Sequence, residues 1–442
     1  MCGICGEYRF DHQQPSLQRI ERMLEKLQRR GPDNSGSYLD GTLAFGHRRL
    51  SIIDLSERAN QPMVDQDLNL TLVFNGTIYN YPELRRELAD KGYHFFSEGD
   101  SEVILKAYAE WGESCVKHLH GMFAFAIWDK ARQQLFLARD RMGIKPLYYS
   151  LDNNHLRFAS SAQALLAAGE VDTDIDTVAL QMLFTLHAVV PAPRTILKGI
   201  RKLEPATTMT LDARGGVTRR VYWQLDATRP VQSMNEREWI EVTHDCLKRA
   251  VERRKTIADV PVGVLLSGGI DSSLLVGLLA EAGVEGLHTF SVGFEDTQEE
   301  RGNEFEYSDQ VAQHFATRHE KILIPNSEVL KRLPEVVDNM AEPMFGQDAV
   351  AFYLLSEQVS KYVKVVQSGQ GADEVFAGYF WYPRMHEAQG DVVERFRQNY
   401  FDRDHDEYLQ MVSPEFAGED YTSDWVRERL TQPDADTYLD QV

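Results

Sequence analysis

The spacing of apolar residues changes near residue 236, and this change limits the fold more than any other feature of the chain. Before it, short apolar runs typical of strands are separated by Gly, Asn and Asp turns. After it, apolar segments of strand length and of helix length alternate. Such alternation is typical of a parallel sheet covered by helices on both faces. We therefore predict a mixed α+β domain, mostly strands, followed by an α/β domain with a doubly wound parallel sheet.

Individual segments can be assigned within this outline. In the first domain, helices are predicted over residues 16–29, 81–91 and 101–111. Its predicted strands are 42–45, 70–74, 123–128, 134–138, 147–150 and 156–159. In the second domain, the predicted helices 236–254, 271–282, 307–315 and 348–361 alternate with strands 260–266, 287–294, 320–324 and 363–368. A chain of 442 residues is long enough for two or three domains. We place the first over 2–205, a connector over 206–235 and the second over 236–442.

The chain is strongly acidic, with 47 Lys and Arg against 68 Asp and Glu and a formal net charge of −21. Such a charge repels nucleic acids and anionic membranes, so we expect neither as a partner. No apolar stretch approaches the ~20 residues needed to cross a bilayer. The four cysteines are too few for a disulfide framework in a chain of this length, which favours a reducing cytoplasm.

Cys2 follows the initiator methionine, and its small side chain leads us to expect removal of Met1. A free α-amine would then stand beside the thiol. That amine titrates near pH ~8, so it can accept the thiol proton and make Cys2 a self-contained nucleophile. The alternative is a metal or redox pair of Cys2 and Cys5. A zinc site needs two further ligands and a redox motif normally joins a strand to a helix, but position alone leaves both interpretations open.

Other residues of the first domain suit the hydrolysis of an amino-acid amide. Acyl transfer needs hydrogen-bond donors for an oxyanion, and Asn75 and Gly76 follow an apolar run at a predicted strand end. The Arg49 guanidinium suits a substrate carboxylate, and the Asp100 carboxylate suits an ammonium group. Simpler interpretations exist, because Asn-Gly is a common turn and Asp a common helix N-cap. His47 is assigned a structural role, since the terminal amine already serves as a base.

The first domain resembles the N-terminal-nucleophile (Ntn) glutaminase domain of class II amidotransferases. The resemblance rests on the segments 1–6, 30–33, 46–50, 74–76, 99–102, 121–125 and 138–149. It implies stacked β-sheets with flanking helices, and attack of Cys2 on the side-chain amide of glutamine. It also implies an oxyanion site at Asn75 and Gly76 and a glutamine clamp of Arg49 and Asp100. Thr77 stands in the glutamine site where the family usually has Glu, so we expect Asp100 to hold the ammonium alone.

A glycine-rich loop joins the first strand of the second domain to the next helix. Ser267, Gly268, Gly269, Asp271 and Ser272 directly follow an apolar run. Such a turn presents backbone N–H groups and a helix N-terminus to an anion, and the serine hydroxyls add donors. The loop lacks the Gly-x4-Gly-Lys-Ser/Thr pattern of a Walker A motif. We therefore predict a phosphate-binding loop rather than an ordinary strand-to-helix turn.

This loop resembles the pyrophosphate loop of ATP-pyrophosphatases, and the segment 368–379 resembles the second signature of asparagine synthetases. The resemblance implies that Mg-ATP binds here, with backbone groups near Leu265, Val292 and Gly369 around the adenosine and ribose. Asp271 and Asp373 supply hard oxygen ligands for Mg²⁺ between phosphates. The implied ATP site comprises Leu265, Ser267, Gly268, Gly269, Asp271, Ser272, Val292, Ser368 and Gly369.

Gln370 replaces the Glu that the family uses at the acyl-adenylate site, and a neutral amide cannot act as a base. This substitution puts aspartate in doubt as the acceptor. Together with segments 187–195 and 381–383, it resembles a narrower branch, the N-acetylglutaminylglutamine amidotransferases, which amidate a blocked Gln-Gln dipeptide. Aspartate and this dipeptide are therefore alternative acceptors.

The resemblances together imply a cytoplasmic, glutamine-hydrolysing and ATP-dependent amide ligase. Its partners would be the small molecules glutamine, ATP and a carboxylate acceptor, and a second copy of the chain in a homodimer. Family members extend past residue 442, through an Arg-x-Pro-Phe-Leu-Asp segment and a later Lys, so we expect the second domain to be incomplete at its C-terminus. The alternative is a truncated chain that acts only as a glutaminase or nucleotide-binding protein. A glutaminase that makes amino sugars is a third hypothesis, which the loop 267–272 disfavours.

Overall fold

Two units are distinguished by the density of contacts within them. The protein is described by a computed structural model, which covers residues 1–225, 233–255, 257–296, 302–344 and 347–430. Unit 1 comprises Met1–Leu225, Asp338–Met344 and Asp402–Thr422, and unit 2 comprises the described residues of 226–337, 345–401 and 423–442. Within these described ranges, no helix is both long enough and apolar enough to cross a membrane.

Two six-stranded antiparallel sheets form the centre of unit 1. The first contains β1 (Gly3–Arg9), β2 (Asn34–Asp40), β3 (Leu43–Arg49), β8 (Tyr148–Leu151), β9 (His155–Ala159) and β10 (Arg201–Lys202). The second contains β4 (Met63–Asp65), β5 (Leu70–Ile78), β6 (Gly121–Asp129), β7 (Gln134–Arg139), β11 (Thr207–Leu211) and β12 (Val217–Val221). The strand orders are β10-β8-β9-β1-β3-β2 and β12-β11-β7-β6-β5-β4.

The two sheets stack through apolar side chains that alternate along the strands. Ile4 and Phe45 of the first sheet meet Val73 and Trp128 of the second in one buried cluster. Successive side chains of a strand point to opposite faces, so the residues between these point outward. Gly6 leaves room for the ring of Phe158, its neighbour on β9, because a Cβ at Gly6 would lie 2.5 Å from that ring.

Helices cover the outer faces of both sheets. Those against the first sheet are α1 (Leu17–Lys26) and α4 (Ala162–Ala168). Those against the second sheet are α2 (Tyr81–Asp90) and α3 (Asp100–Trp111). A further helix of unit 1 is α5 (Thr177–Thr185). The helix–sheet–sheet–helix layers confirm the prediction of stacked β-sheets with flanking helices.

Part of the stretch 206–235, predicted as a connector, belongs to the second sheet instead. Its residues form the hairpin β11–β12, and β11 pairs with β7. Met209 is fully buried and lies in the cluster between the sheets. The outer strand β12 carries exposed Arg219 and Arg220, so it lacks the apolar run that marks a buried strand. The rest of the predicted connector includes 226–232, which lies outside the described residues.

A four-stranded parallel sheet forms the centre of unit 2. Its strands are β13 (Val262–Leu265), β14 (His288–Phe294), β15 (Arg318–Ile324) and β16 (Val365–Gln367), in the order β15-β14-β13-β16. The chain therefore adds β14 and β15 on one side of β13 and later adds β16 on the other side of β13. In such sheets the loops that leave the two strands at this reversal point lie side by side and bind ligands.

The remaining helices follow the predicted alternation and then continue beyond it. They are α6 (Glu236–Lys255), α7 (Ile270–Glu281), α8 (Phe305–His314), α9 (Asn326–Asn339), α10 (Gln347–Val359), α11 (Ala372–Phe376), α12 (Trp381–Glu387), α13 (Val392–Tyr400), α14 (His405–Met411) and α15 (Tyr421–Arg429). The parallel sheet confirms the predicted α/β class of the second domain. Residues 431–442, where the chain was predicted to stop short of the family's C-terminus, lie outside the described residues.

Candidate functional sites

The alternation of strands brings three predicted site residues of unit 1 to the same space. Cys2 immediately precedes β1, Arg49 ends β3 and Asn75 lies near the end of β5. Each is an even number of residues from a member of the inter-sheet apolar cluster on its own strand. Because side chains alternate with a period of two, all three belong to the faces that the sheets turn toward each other.

One cavity of unit 1 is lined by every residue that the sequence assigned to glutamine hydrolysis. These residues are Cys2, Arg49, Asn75, Gly76, Thr77 and Asp100. The sequence assigned no role to the other lining residues, which are Met1, Leu50, Ile52, Ile53, Ala59, Gln61, Phe74, Ser101 and Lys145. Of these, Lys145 has a titratable side chain and lies in the recognised segment 138–149, but nothing in that segment indicated that this side chain would be buried in the cavity.

The Cys2 thiol is fixed against the backbone of Leu50. The Leu50 N–H donates to Sγ at 3.4 Å, and the Leu50 carbonyl lies 3.7 Å from Sγ. Burial raises the pKa of this thiol, so it needs a base. Burial also lowers the pKa of the N-terminal amine, which is that of Met1 in this structure, to about 5. An amine held neutral in this way is able to accept a proton at neutral pH.

The positions of the two N-terminal cysteines disfavour a metal or redox pair. Cys5 is fully buried and packs among the residues that cover the outer face of the first sheet. Cys2 instead lines the cavity. Both thiols are free, and burial raises the pKa of Cys5, which makes its thiolate less accessible. Cys2 therefore acts independently of Cys5.

The side-chain amide of Asn75 is buried without a hydrogen-bond partner among the described residues. It is fully buried, and neither its Nδ2 nor its Oδ1 has a partner in the described part of the chain. Leaving a buried amide unpaired costs about 1–3 kcal/mol, so such a group indicates a place for a ligand. At Gly76 a Cβ would lie 2.2 Å from the Met122 carbonyl oxygen, so only glycine fits beside it.

His47 supports the strand that carries Asn75. It is fully buried, and its Nε2 lies 3.1 Å from the Phe74 carbonyl oxygen. Burial lowers the pKa of this histidine to about 3, so the ring is neutral and donates to that oxygen. This geometry agrees with the structural role assigned from the sequence.

Two buried charges of opposite sign complete the cavity. The Arg49 guanidinium donates to the Ser56 carbonyl at 2.8 Å and to Asn60 Oδ1 at 2.7 Å, which fixes its position. Asp100 accepts the Ile78 N–H at 3.0 Å. Burial raises the pKa of Asp100 to about 7, and the backbone N–H groups and the Arg49 charge, which lower it, offset this loss of water only in part. A positively charged ligand would remove this penalty.

The phosphate-binding loop predicted in unit 2 leaves β13 at the reversal point of the parallel sheet. Gly268 has φ +92°, a backbone conformation that favours glycine. Ser267 Oγ accepts the Gly269 N–H at 3.2 Å and lies 3.1 Å from Ser272 Oγ. These hydrogen bonds fix the hydroxyls of Ser267 and Ser272 at the start of α7.

The loop after β16 lies against this first loop, as the sheet order requires. A Cβ at Gly369 would lie 2.9 Å from Cβ of Asp271 and 3.0 Å from the Ser272 nitrogen. Ser368 Oγ accepts the Gln370 N–H at 3.0 Å. Gln370 is exposed to solvent. The structure thus brings the two predicted ATP-binding segments together, with Gln370 at their outer edge.

A second cavity opens beside the phosphate-binding loop. Its lining includes Ser267 and Val292, both predicted ATP-site residues, but not Leu265. The sequence did not single out its other lining residues, which are Ser291, Gly302, Asn303, Glu304 and Phe305. Most of these follow residues 297–301, which lie outside the described residues, in a stretch with no recognisable motif, so no sequence signal marked them.

The carboxylates of the same loops suit a divalent cation. Burial raises the pKa of Asp271, and the negative charges of Asp373 and Glu374 raise it further. Mutual repulsion of this kind is relieved by a bound cation. Among the described residues no group of three or more His, Cys, Asp or Glu side chains is arranged to hold a metal ion. Two carboxylates are nevertheless a typical number of protein ligands for Mg²⁺, whose other ligands are phosphate oxygens and water.

Comparisons with known proteins match the two units separately. A family model described as a glutamine amidotransferase domain matches residues 1–223, and one described as asparagine synthase matches residues 243–441. The first defines the class of unit 1, and the second defines that of the C-terminal half. This order, an amidotransferase domain followed by a synthase domain, is the one that the sequence motifs predicted.

Curated relatives carry both domains. Glutamine-hydrolysing asparagine synthetase 1 of Bacillus subtilis (strain 168) is 37% identical over 385 residues, which cover 86% of this chain and 59% of that protein. A putative glutamine-hydrolysing asparagine synthetase 2 of Methanocaldococcus jannaschii is 35% identical over 405 residues, which cover 86% of this chain and 76% of that protein. The chain belongs to the family of glutamine-hydrolysing asparagine synthetases, as the sequence predicted.

The lengths of the matches differ from one relative to another. The chain spans 59% and 64% of two asparagine synthetases of Bacillus subtilis. Among solved structures, the chain is similar to the glutamine phosphoribosylpyrophosphate amidotransferase of Bacillus subtilis. The superposition covers 73% of this chain and 91% of the amidotransferase chain, with 14% sequence identity and a TM-score of 0.41. That similarity is too low to support an argument.

Proposed function

We propose that unit 1 hydrolyses glutamine, and that unit 2 uses ATP to activate a carboxylate which the released ammonia converts into an amide. One observation carries this function: the cavity of unit 1 gathers a thiol, an unpaired amide, a guanidinium and a carboxylate. These groups match, one by one, what the hydrolysis of glutamine needs. Low cysteine content supports a cytoplasmic enzyme, and the homodimer expected from the resemblance can be checked by light scattering.

The chemistry of unit 1 begins at the N-terminus. After removal of Met1, the Cys2 amine takes the thiol proton and the sulfur attacks the side-chain carbonyl carbon of glutamine. Asn75 Nδ2 and the Gly76 N–H donate to the oxyanion that forms. The amine returns the proton to the departing nitrogen, which leaves as ammonia. Water then hydrolyses the thioester and releases glutamate.

Glutamine is oriented by the two buried charges. The α-carboxylate lies toward the Arg49 guanidinium, which is already fixed by its loop. The α-ammonium lies toward Asp100, whose burial makes a cationic partner favourable. Thr77 lines the cavity where other members of the family have a carboxylate, so Asp100 supplies the negative charge without help.

Unit 2 provides the groups for adenylation of a carboxylate. The N–H groups of Gly268 and Gly269 and the hydroxyls of Ser267 and Ser272 face the phosphates, at the positive end of α7. Segments near Leu265, Val292, Ser368 and Gly369 surround the adenosine. The acceptor carboxylate attacks the α-phosphorus, pyrophosphate leaves, and ammonia then displaces AMP from the acyl-adenylate.

Mg²⁺ fits this site through Asp271 and Asp373. Both carboxylates are close enough for the charge of Asp373 to raise the pKa of Asp271, and carboxylate oxygens are the ligands that Mg²⁺ prefers. When bound, the ion neutralises charge on the phosphates. The two residues hold their carboxylates at the junction of the two loops, where the phosphates would lie.

The acceptor is either aspartate or the C-terminal carboxylate of a blocked Gln-Gln dipeptide. Gln370, at the acyl-adenylate position, supplies an amide in place of a base. The resemblance of Gln370 and of the segments 187–195 and 381–383 to the narrower branch supports the dipeptide. The same Gln370 favours, as a second candidate function, a chain that only hydrolyses glutamine or binds nucleotide.

Pyrophosphate release separates these possibilities. The protein is incubated with Mg-ATP and glutamine, with aspartate in one reaction and N-acetylglutaminylglutamine in another, and pyrophosphate and glutamate are both measured. Release with the dipeptide alone is the expected result. Release with aspartate alone would identify the other acceptor. Glutamate formation without pyrophosphate in either reaction would leave only the glutaminase function.

A further inference from the structure

A buried lysine that the mechanism above does not use lies beside the N-terminal residue. Lys145 lines the glutamine cavity together with Met1 and Cys2, and only 8% of it is exposed. Its Nζ lies 3.3 Å from Met1 Sδ, and a thioether is a weak acceptor. Within the described residues no carboxylate pairs with this ammonium. A buried charge without a counterion is costly and is characteristic of functional sites.

The backbone around Lys145 fixes where its side chain begins. The Lys145 N–H donates to Asp140 Oδ2 at 2.9 Å, and the Lys145 carbonyl accepts from Arg139 Nε at 3.0 Å. The Asp140 carboxylate also accepts the N–H groups of Phe123 and Ile144. Asp140 is therefore committed to backbone donors and forms no ion pair with the lysine, although its negative charge raises the pKa of Lys145. The result is a positively charged group held at the cavity wall.

A second cation, the half-buried Arg30, also contacts the N-terminal segment. Arg30 Nε donates to the Cys2 carbonyl at 3.1 Å. Burial is the main cause that lowers the pKa of the N-terminal amine; the charges of Arg30 and Lys145 lower it further, while Cys2 and Asp33 raise it. The pKa of Lys145 is itself lowered by burial first and by Arg30 second.

The pKa of the Cys2 thiol also depends on burial and on nearby charges. Burial raises the pKa of Cys2, and the Asp100 carboxylate raises it further. The N-terminal ammonium, the Leu50 N–H and the Arg49 guanidinium lower it. The charge of Cys2 in turn raises the pKa of Lys145, so the thiolate and the lysine ammonium stabilise each other.

We propose that Lys145 is a positioning residue for the glutaminase reaction: its ammonium keeps the N-terminal amine neutral and favours the thiolate of Cys2. This inference rests on the proposed function of Cys2 as the nucleophile. A positive charge near the amine raises the free energy of its protonated form, and so the base remains available at lower pH. Removal of Met1 takes away the thioether at 3.3 Å, and Cys2, the new N-terminal residue, lines the same cavity as Lys145.

The pH profile of glutamine hydrolysis tests this role. In Lys145→Met the charge is lost and the length of the side chain is kept. The acid limb of kcat at saturating glutamine, where Asp100 is paired with the substrate ammonium, should therefore move upward by about one pH unit. Lys145→Arg restores the charge and should return the limb to its wild-type position. The control is Lys198→Met, an exposed lysine of the same unit that pairs with Asp174 at 3.4 Å, and it should leave the profile unchanged.

Two readouts separate failure of this role from failure of the glutaminase function. An unchanged acid limb in Lys145→Met, or an equal loss of activity at every pH in both Lys145 variants, would overturn the role. If wild type hydrolyses no glutamine, the proposed function fails instead. The rate of Cys2 alkylation by iodoacetamide, followed by peptide mass, then tests Lys145 alone. Its half-maximal pH should rise in Lys145→Met, and no rise would overturn the inference.

Discussion

The two candidate sites are built in different ways although they belong to one chain. In unit 1 the groups sit at strand ends or, for Asp100, at the start of α3, and they are buried, with 0% of Asn75 and 5% of both Arg49 and Asp100 exposed. In unit 2 the groups sit on loops, and Ile270 at the start of α7 is 86% exposed. The first site is thus complete before its ligand arrives. The second presents backbone donors and carboxylates that the nucleotide and its ion would complete.

The difference follows from the chemistry each site must perform. Stabilising an oxyanion requires donors that are fixed and shielded from water before the reaction begins. Strands in two stacked sheets provide such rigidity. A nucleotide brings its own charges and cation, so a loop with free N–H groups at a helix N-terminus is sufficient. Substitutions should therefore act on rate in unit 1 and on ligand requirements in unit 2.

The largest effect should come from the nucleophile. Cys2→Ala removes the sulfur that attacks glutamine, and we expect glutamate formation to fall by on the order of 10⁴-fold or more. Pyrophosphate release supported by ammonium chloride should persist, because unit 2 is untouched. Cys246→Ala, which changes an exposed cysteine of unit 2, is the matched control. Substantial glutamine hydrolysis by Cys2→Ala would show that another residue is the nucleophile.

The next effect concerns preorganisation of the oxyanion site. Asn75→Ala removes one donor, so we expect kcat for glutamine hydrolysis to fall on the order of 10²–10³-fold with little change in KM. Because no described group pairs with the Asn75 amide, the substitution leaves no buried partner unsatisfied. The melting temperature should therefore change little. A rise in KM at constant kcat would instead assign Asn75 to ground-state binding.

A smaller effect is expected from pH acting on Asp100. Its pKa is raised to about 7 in the empty cavity, so the carboxylate gains a proton as the pH falls through 7 and loses its attraction for the glutamine ammonium. Binding of glutamine to Cys2→Ala, measured by calorimetry, should weaken by up to about tenfold between pH 7.5 and pH 6. The Cys2→Ala, Asp100→Asn double variant should bind weakly at both values. Equal affinity of Cys2→Ala at both pH values would contradict the role of Asp100.

The smallest effect should appear in the stability of unit 2. The pKa of Asp271 is raised in the folded protein, so its ionised form destabilises the fold at pH 7. Asp271→Asn should raise the melting temperature of the ligand-free protein by about 1 °C, because exposed charges are screened. The gain should shrink as the pH falls and disappear only below the ordinary aspartate pKa of 3.8, where Asp271 is protonated in both the folded and the unfolded state. A lower melting temperature at pH 7 would show that Asp271 makes a stabilising contact instead.

Much of the fold was predictable because buried strands carry apolar runs. The strands β5, β6 and β7 and the alternation in unit 2 were found in this way. Other segments were not, and β1, β2, β12 and α9 show why. β1 contains Gly3 and Gly6 and reads as a motif, β2 and β12 are polar edge strands, and α9 contains Pro334. Each is held by neighbours in the fold rather than by its own pattern, so the pattern alone could not mark it.

The candidate sites were predictable as far as residue identity carries the chemistry. Cys2, Arg49, Asn75 and Asp100 were all named from the sequence, and one cavity contains them. The role of Lys145 was not, because a lysine is ordinarily exposed and only the fold shows that this one is buried. Whether a lysine is buried depends on contacts between segments that are distant in the sequence, and no local sequence signal indicates those contacts.

Transfer of nitrogen from one site to the other is the most direct test of the two-site function. The protein is given Mg-ATP, glutamine labelled with ¹⁵N in its side-chain amide, unlabelled ammonium, and aspartate or N-acetylglutaminylglutamine, and the product is examined by mass spectrometry. We expect ¹⁵N in the new amide at a higher fraction than in the free ammonium, with one AMP formed for each amide. Hydrolysis of glutamine without labelled amide from either acceptor would contradict the proposed ligase.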